Sequence, residues 1–206
     1  MGRGKYIVIE GHDGTGKSTQ VSLLREKLAS RNIQSIEFHE PEGVPIANEI
    51  RTIIKNGALE RDGKTNLLLF TAARHEIWRQ AQQALAQGIW IVASRNYFST
   101  LAYQGYGENL DRDLIMRMTK EFTDELYMHP DHAVILSLGD ETERSKRIQG
   151  RGDLNNPDTF ESRDAQFQIA VEKGYLAIAK QYELPIISAT QSKDAIATQI
   201  YKLIQI

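Results

Sequence analysis

Gly11-His12-Asp13-Gly14-Thr15-Gly16-Lys17-Ser18 is the stretch whose residue types and spacing speak most directly of chemistry. It has the form G-x-x-x-x-G-K-[ST], in which glycines let backbone N–H groups turn inward around an anion. A helix that follows such a loop presents its positive end to the same charge. Phosphate is the ligand this cradle suits. Lys17 would neutralise the β and γ oxygens of a nucleoside triphosphate, while Ser18, followed by Thr19, would offer a hydroxyl to a Mg²⁺ ion that keeps most of its waters. The expected ligands are therefore a nucleotide's phosphates and Mg²⁺, with a glycine turn beside a surface lysine as the bland alternative.

Such a loop works only between a strand and a helix. Residues 6–9 (Tyr-Ile-Val-Ile) read as a strand, and 18–30 carries Val21, Leu24 and Leu28 at helical spacing. Further strands are expected at 33–38, 89–93, 133–138 and 186–188, each separated from the next by a helical pattern. Five strands with intervening helices predict an α/β fold in which a parallel sheet is covered on both faces. Residues 65–87 contain neither Gly nor Pro and read as one long helix ended by Gly88. Phe70 and Arg74, four residues apart, share a face of it. Residues 111–126 and 159–182 also read as helices. Between them, residues 149–157 (Q-G-R-G-D-L-N-N-P) are dense in helix breakers and predict a mobile loop.

Composition narrows the function classes. The 206 residues suit one core, and 25 basic against 27 acidic side chains give a formal charge of −2, so neither a nucleic-acid polymer nor an anionic membrane is an expected partner. Zero cysteines exclude disulfides, thiolate metal sites and thiol nucleophiles. No apolar run approaches the roughly 18 residues of a membrane span, and residues 1–5 carry no apolar leader, so a cytoplasmic protein is expected.

A phosphate loop specifies a nucleotide but not its use. The loop G-H-D-G-T-G-K-S-T-Q is followed by H-E-P-E-G-V-P-I from His39, L-L-L-F-T-A-A-R from Leu67 and S-R-N-Y-F-S-T-L-A-Y-Q-G from Ser94. In this order the segments resemble the thymidylate kinase family, over essentially the whole chain to Gly174-Tyr175-Leu176 and the closing D-A-I-A-T-Q-I. The resemblance implies a single domain with the three-layer P-loop NTPase fold, a lid at about 144–160 and transfer of the γ-phosphate of ATP to dTMP. It implies that Phe70 stacks on thymine, that Arg74 donates to a base oxygen, and that Asp13, Glu40, Pro41, Ser99, Tyr103 and Gln104 line the acceptor site. Tyr103 would pack against the deoxyribose. Arg95 would bridge the acceptor phosphate and the transferring phosphoryl, and Arg147 and Arg151 would reach the phosphates from the lid. A homodimer is implied as well, with Trp78 and Trp90 near a helix-rich surface.

Three positions depart from the family pattern. Ser94 stands where the family has Asp, removing a carboxylate near the metal, with Asp13, Glu10 or Glu161 as candidate replacements. His39 stands where bacterial relatives have Arg, exchanging a permanent cation for a group mostly neutral at pH 7. Glu42-Gly43 replaces two glycines and adds an anion close to an anionic substrate. A kinase for another deoxynucleoside monophosphate, or a relative that binds nucleotides without turning them over, are the alternatives these changes leave open.

Overall fold

A computed structural model describes residues 2–139, 141–150, 160 and 163–206. Five strands, β1 (Tyr6–Gly11), β2 (Ser35–His39), β3 (Trp90–Ser94), β4 (His132–Ser137) and β5 (Ile186–Ser188), form an all-parallel sheet in the order β2-β3-β1-β4-β5. All five strand expectations are met to within two residues. The central strand β1 is buried along its whole length, as both-face coverage demands.

Side-chain alternation along β1 and β3 divides the core in two. Tyr6 and Val8, with Ile91 and Ala93, face one cluster, which includes Ile77 and Trp78 of the long helix α3 (Gly63–Ala86) and Val171 and Tyr175 of α8 (Ala165–Gln181). Ile7 and Ile9, with Val92, face the other, against Val21, Leu24 and Leu28 of α1 (Lys17–Ala29) and Ile196 and Ile200 of α9 (Lys193–Ile204). Trp78 is therefore core, tilted against Tyr6 at 5.1 Å and edge-on to Tyr127 at 5.0 Å, and not part of an outer surface.

α3 starts where the Asp62 carboxylate accepts from Thr65 N, and stops at Gln87 before Gly88, whose φ of 82° lies in the left-handed region. A second helix, α2 (Pro45–Lys55), packs on α3; it begins with Pro at its first turn, and although Ile46, Ile50, Ile53 and Ile54 recur at helical spacing it is not among the expected elements. The helix expected over 111–126 is broken. Thr123 ends α5 (Arg112–Phe122) in an extended conformation, and the Asp124 carboxylate starts a new turn, α6 (Glu125–Met128), by accepting from Tyr127 N. After β3, a short helix α4 (Tyr97–Thr100) runs into a π-helical segment over Leu101–Gly107. A further helix, α7 (Glu141–Gln149), leads into the expected breaker loop at 149–157; residues 151–157 of that loop lie outside the described residues. The helix expected from 159 starts at Ala165, with Asp164 as its cap.

Parallel register brings the carboxyl ends of four strands together: Ile9 and His39 both lie opposite Ser94, and Gly11 lies opposite Leu136. This edge is where open α/β sheets bind ligands.

Candidate active site

The phosphate loop leaves β1 at Gly11 and enters α1 at Lys17. Gly11, Gly14 and Gly16 have φ values of 141°, 90° and 88°, a backbone that side chains oppose. At Gly11 the constraint is also steric, since a Cβ would sit 2.2 Å from Leu136 O. Thr15 Oγ1 donates back to His12 O at 2.8 Å, and Lys17 Nζ donates to Gly11 O at 2.8 Å and His12 O at 3.0 Å. Lys17 thus lies folded over the cradle. The His12 and Thr15 side chains are buried, so their main chain is what they can offer an anion. His12 Nε2 meets Gln168 Oε1 of α8 at 2.8 Å, and burial lowers the imidazole's pKa to about 4. Ser18 and Thr19 are exposed at the start of α1.

A cleft of about 440 Å³ opens beside the loop. Its phosphate end is lined by Asp13, Lys17, Ser18, Thr19 and Arg95, its other end by Phe70, Arg74, Thr100, Tyr103 and Gln104, with His39, Glu40, Pro41 and Arg51 on the β2–α2 side. Every acceptor-site residue expected from the sequence, Asp13, Glu40, Pro41, Phe70, Arg74, Arg95, Ser99, Tyr103 and Gln104, lines this one cleft.

Arg95 has a φ of 75°, strained for a residue with a Cβ, and its guanidinium is tied on both sides. Nη2 pairs with the Asp13 carboxylate, and Nη1 donates to Ser99 Oγ at 2.9 Å and Tyr175 OH at 3.2 Å. Tyr103 OH donates to the other Asp13 oxygen. Burial works to raise the Asp13 pKa, but the charges of Arg95 and Lys17 win and hold it well below the usual carboxylate range. Glu10, fully buried near the end of β1, accepts from Asn96 N at 2.8 Å, Ser99 N at 3.0 Å, Ser99 Oγ at 2.8 Å and Tyr175 OH at 3.1 Å. It is the brace of the Arg95 turn, committed to hydrogen bonds within the fold.

At the other end Arg74 is 2% exposed. Nε donates to Glu40 Oε2 at 3.0 Å and to Tyr127 OH at 2.7 Å, and Nη2 donates to Thr100 Oγ1 at 2.7 Å. Among the described residues Nη1 is buried with no partner, as is Gln104 Nε2. Two unsatisfied donors in one cleft are costly for an isolated protein and suit a ligand carrying carbonyl acceptors. Burial raises the Glu40 pKa despite Arg74 and Tyr127, so its negative charge depends on those partners. Phe70 is half-buried, with its ring 5.9 Å from that of Phe160, leaving apolar surface toward the cleft.

One expected residue lies elsewhere. Arg147 does not line the cleft; its Nε donates to Glu143 Oε1 at 2.8 Å and its Nη1 to Ala189 O at 3.0 Å. Arg151 and Glu161 lie outside the described residues. The α7 arginine against the loop is Arg144, whose Cγ would be 3.4 Å from a Cβ at Gly14. Arg51 and Lys55, four apart on α2, also line the cleft and went unread because α2 itself did.

The sequence matches the thymidylate kinase family model over residues 9–200. This chain belongs to the thymidylate kinase family. That makes it a phosphotransferase of the nucleoside-monophosphate kinase class. It is 34% identical over 212 residues to the thymidylate kinase of Paraburkholderia phytofirmans, covering 100% of both chains. With that of Carboxydothermus hydrogenoformans it shares 31% over 199 residues, covering 96% of this chain and 95% of the relative. The crystal structure of thymidylate kinase from Ehrlichia chaffeensis superimposes with a TM-score of 0.78 at 26% identity, covering 100% of both chains. The family's sheet and the expected P-loop NTPase fold are thereby established for this chain.

Proposed function

We propose that this family member transfers the γ-phosphate of ATP to dTMP, giving dTDP and ADP, in one kinase domain with residues 144–160 as its lid. The observation that carries the acceptor is the base end of the cleft. Phe70 offers a ring face, and the partnerless Arg74 Nη1 and Gln104 Nε2 offer two fixed donors to the polar edge of a pyrimidine. Glu40, Tyr127 and Thr100 hold Arg74 in place before the base arrives, so orienting it costs little on binding. Tyr103, drawn to Asp13, closes the space beside the sugar.

At the phosphate end, the loop amides and Lys17 would bind the β- and γ-phosphates. Arg95, already charged and aimed by Asp13 and Ser99, would lie between two anions that repel each other as they meet. Arg147 and Arg151 are proposed to reach the ATP phosphates from the lid.

The available oxygens fit Mg²⁺. Ser18 has an exposed hydroxyl at the start of α1, and Ser94, following Trp90 and Val92 on the α1 side of the sheet, has a buried Oγ without a partner among the described residues. Both oxygens are neutral, which suits an ion that takes its charge balance from the nucleotide and retains waters. Ser18 would hold the ion directly and Ser94 through a water; when bound, Mg²⁺ neutralises charge on the β and γ oxygens.

The exposed Ile46 and Ile53 of α2 and Leu68 of α3 support a homodimer through this face, and the cysteine-free composition supports a cytoplasmic location. ADP release with ATP, Mg²⁺ and each of dTMP, dUMP, dCMP, dGMP and dAMP tests the reading. Selective release with dTMP is expected. Preference for another acceptor would move the substrate, and nucleotide binding without release would mark a non-catalytic relative.

A further inference from the structure

One buried amide, Gln168 of α8, is hydrogen-bonded both to the phosphate loop and to the chain that carries the apolar wall of the base end. Gln168 Nε2 donates to Phe160 O at 2.8 Å and to Arg163 O at 3.3 Å, just ahead of α8. Carbonyls only accept, so the amide nitrogen faces them and the amide oxygen faces the loop, where it lies 2.8 Å from His12 Nε2. That orientation fixes the tautomer: His12 carries its proton on Nε2 and donates it to Gln168. His12 Nδ1 is 3.7 Å from Glu172 Oε2, beyond hydrogen-bond distance, so the bond to Gln168 is what orients the ring. Both side chains are 2% exposed. An apolar pair would fill the same space at less desolvation cost, and what the polar pair adds is direction.

Each end of the bridge carries a piece of the site. His12 O accepts from Thr15 Oγ1 at 2.8 Å and from Lys17 Nζ at 3.0 Å, so the main chain that the imidazole anchors is the one on which the phosphate-binding lysine rests. Phe160 lines the cleft with its ring 5.9 Å from Phe70 and edge-on to Tyr103 at 5.9 Å. Gln168 itself does not line the cleft, nor does the His12 side chain. Tyr175, seven residues on and therefore on the same face of α8, meets Arg95 Nη1 and Glu10. One helix face thus touches the phosphate loop, the chain behind Phe160 and the Arg95 turn.

We propose that Gln168 is a positioning residue for both substrates at once: through His12 it sets the main chain of the donor loop, and through Phe160 O it sets the apolar wall beside the base. Phosphates held by the loop order His12, which orders Gln168 and with it Phe160. The same free energy runs in reverse, so each substrate tightens the binding of the other. The proposal rests on the acceptor reading above.

Calorimetric titration of the intact protein with dTMP tests it, with the protein first free and then saturated with Mg²⁺ and a β,γ-methylene analogue of ATP that cannot transfer its phosphate. The wild type is expected to bind dTMP at least about five-fold more tightly in the second case. Gln168→Leu and His12→Leu should each bring that ratio below about two, whereas His12→Gln, whose amide can donate from near the Nε2 position, should keep most of it. A merely structural role would lower the melting temperature and leave the ratio unchanged. Where a single variant strands its buried partner and unfolds, His12→Leu/Gln168→Leu replaces the polar pair by an apolar one, and its ratio should also lie near one. A wild-type ratio near one, a ratio retained without the pair, or equal losses in His12→Gln and His12→Leu would overturn the proposal. Should the wild type bind a different monophosphate, the acceptor reading falls, and the same ratio with that nucleotide still decides Gln168. A wild type that binds no monophosphate overturns both.

Discussion

The guanidinium of Arg95, at the carboxyl end of β3, is ion-paired to the carboxylate of Asp13 in the phosphate loop, 82 residues earlier in the chain. The pair joins the phosphate loop to the arginine proposed to meet the acceptor phosphate. It also explains how a non-glycine residue holds a φ of 75°: Glu10, Ser99 and Tyr175 overdetermine the turn.

Lys17 folds onto the carbonyls of Gly11 and His12, so its amine is held where the phosphates would sit. Lys17→Ala should lower kcat at least about 1,000-fold while leaving circular dichroism and the melting temperature close to wild type. Wild-type-like turnover in that variant would remove the phosphate-loop assignment.

Arg74 and Glu40 form a buried pair, and removing one partner strands the other. Arg74→Ala should cost about 3–5 kcal/mol of stability. In the folded fraction it should raise the KM for dTMP far more than that for ATP. Chemical denaturation and two-substrate kinetics measure the two effects separately, and equal KM changes would mean that the base end has been misplaced.

Ser94 is completely buried, and its hydroxyl has no partner among the described residues. Ser94→Asp would place a carboxylate in that dry position, so the variant should melt several degrees lower in EDTA and recover part of the loss with Mg²⁺ and ATP. Its kcat should rise where the protein's own rate is limited by the missing carboxylate. A melting temperature indifferent to Mg²⁺ and ATP would separate Ser94 from the metal.

His12 is buried against Gln168, with a pKa lowered to about 4 by burial. Between about pH 6.5 and pH 4 the unfolded chain binds a proton at residue 12 that the native protein refuses. Stability therefore rises with pH across this window, and falls on acidification by up to about 1.4 kcal/mol per pH unit from this group. Urea unfolding of His12→Asn from pH 7 to pH 4.5 should show a flatter dependence than wild type; parallel curves would contradict it.

Much of this was local and therefore legible. The phosphate loop is contiguous, its glycines answer to backbone geometry, and the β-branched runs with intervening helices specify a parallel sheet without knowledge of contacts. Phe70 and Arg74 were readable as a pair because four residues along a helix is a spatial neighbourhood. The sequence by itself thus determined the sheet and the loop, and its resemblance to the thymidylate kinase family supplied most of the other residues that line the cleft.

Tertiary structure alone decided what those residues are tied to. Glu10 resembled a candidate acid in sequence, yet the register of β1 against β3 sets it beneath Asn96 and Ser99 as a brace. Arg147 sits one helical turn from Arg144 on α7, and packing turned Arg144 toward the loop and Arg147 toward Ala189. Glu42 counted as an added negative charge near the acceptor until the fold placed Arg51 3.0 Å from it. The physical reason is common to all three. A residue's type and its place along an element are properties of the chain, whereas the charge it meets across the cleft is set by how separate elements pack.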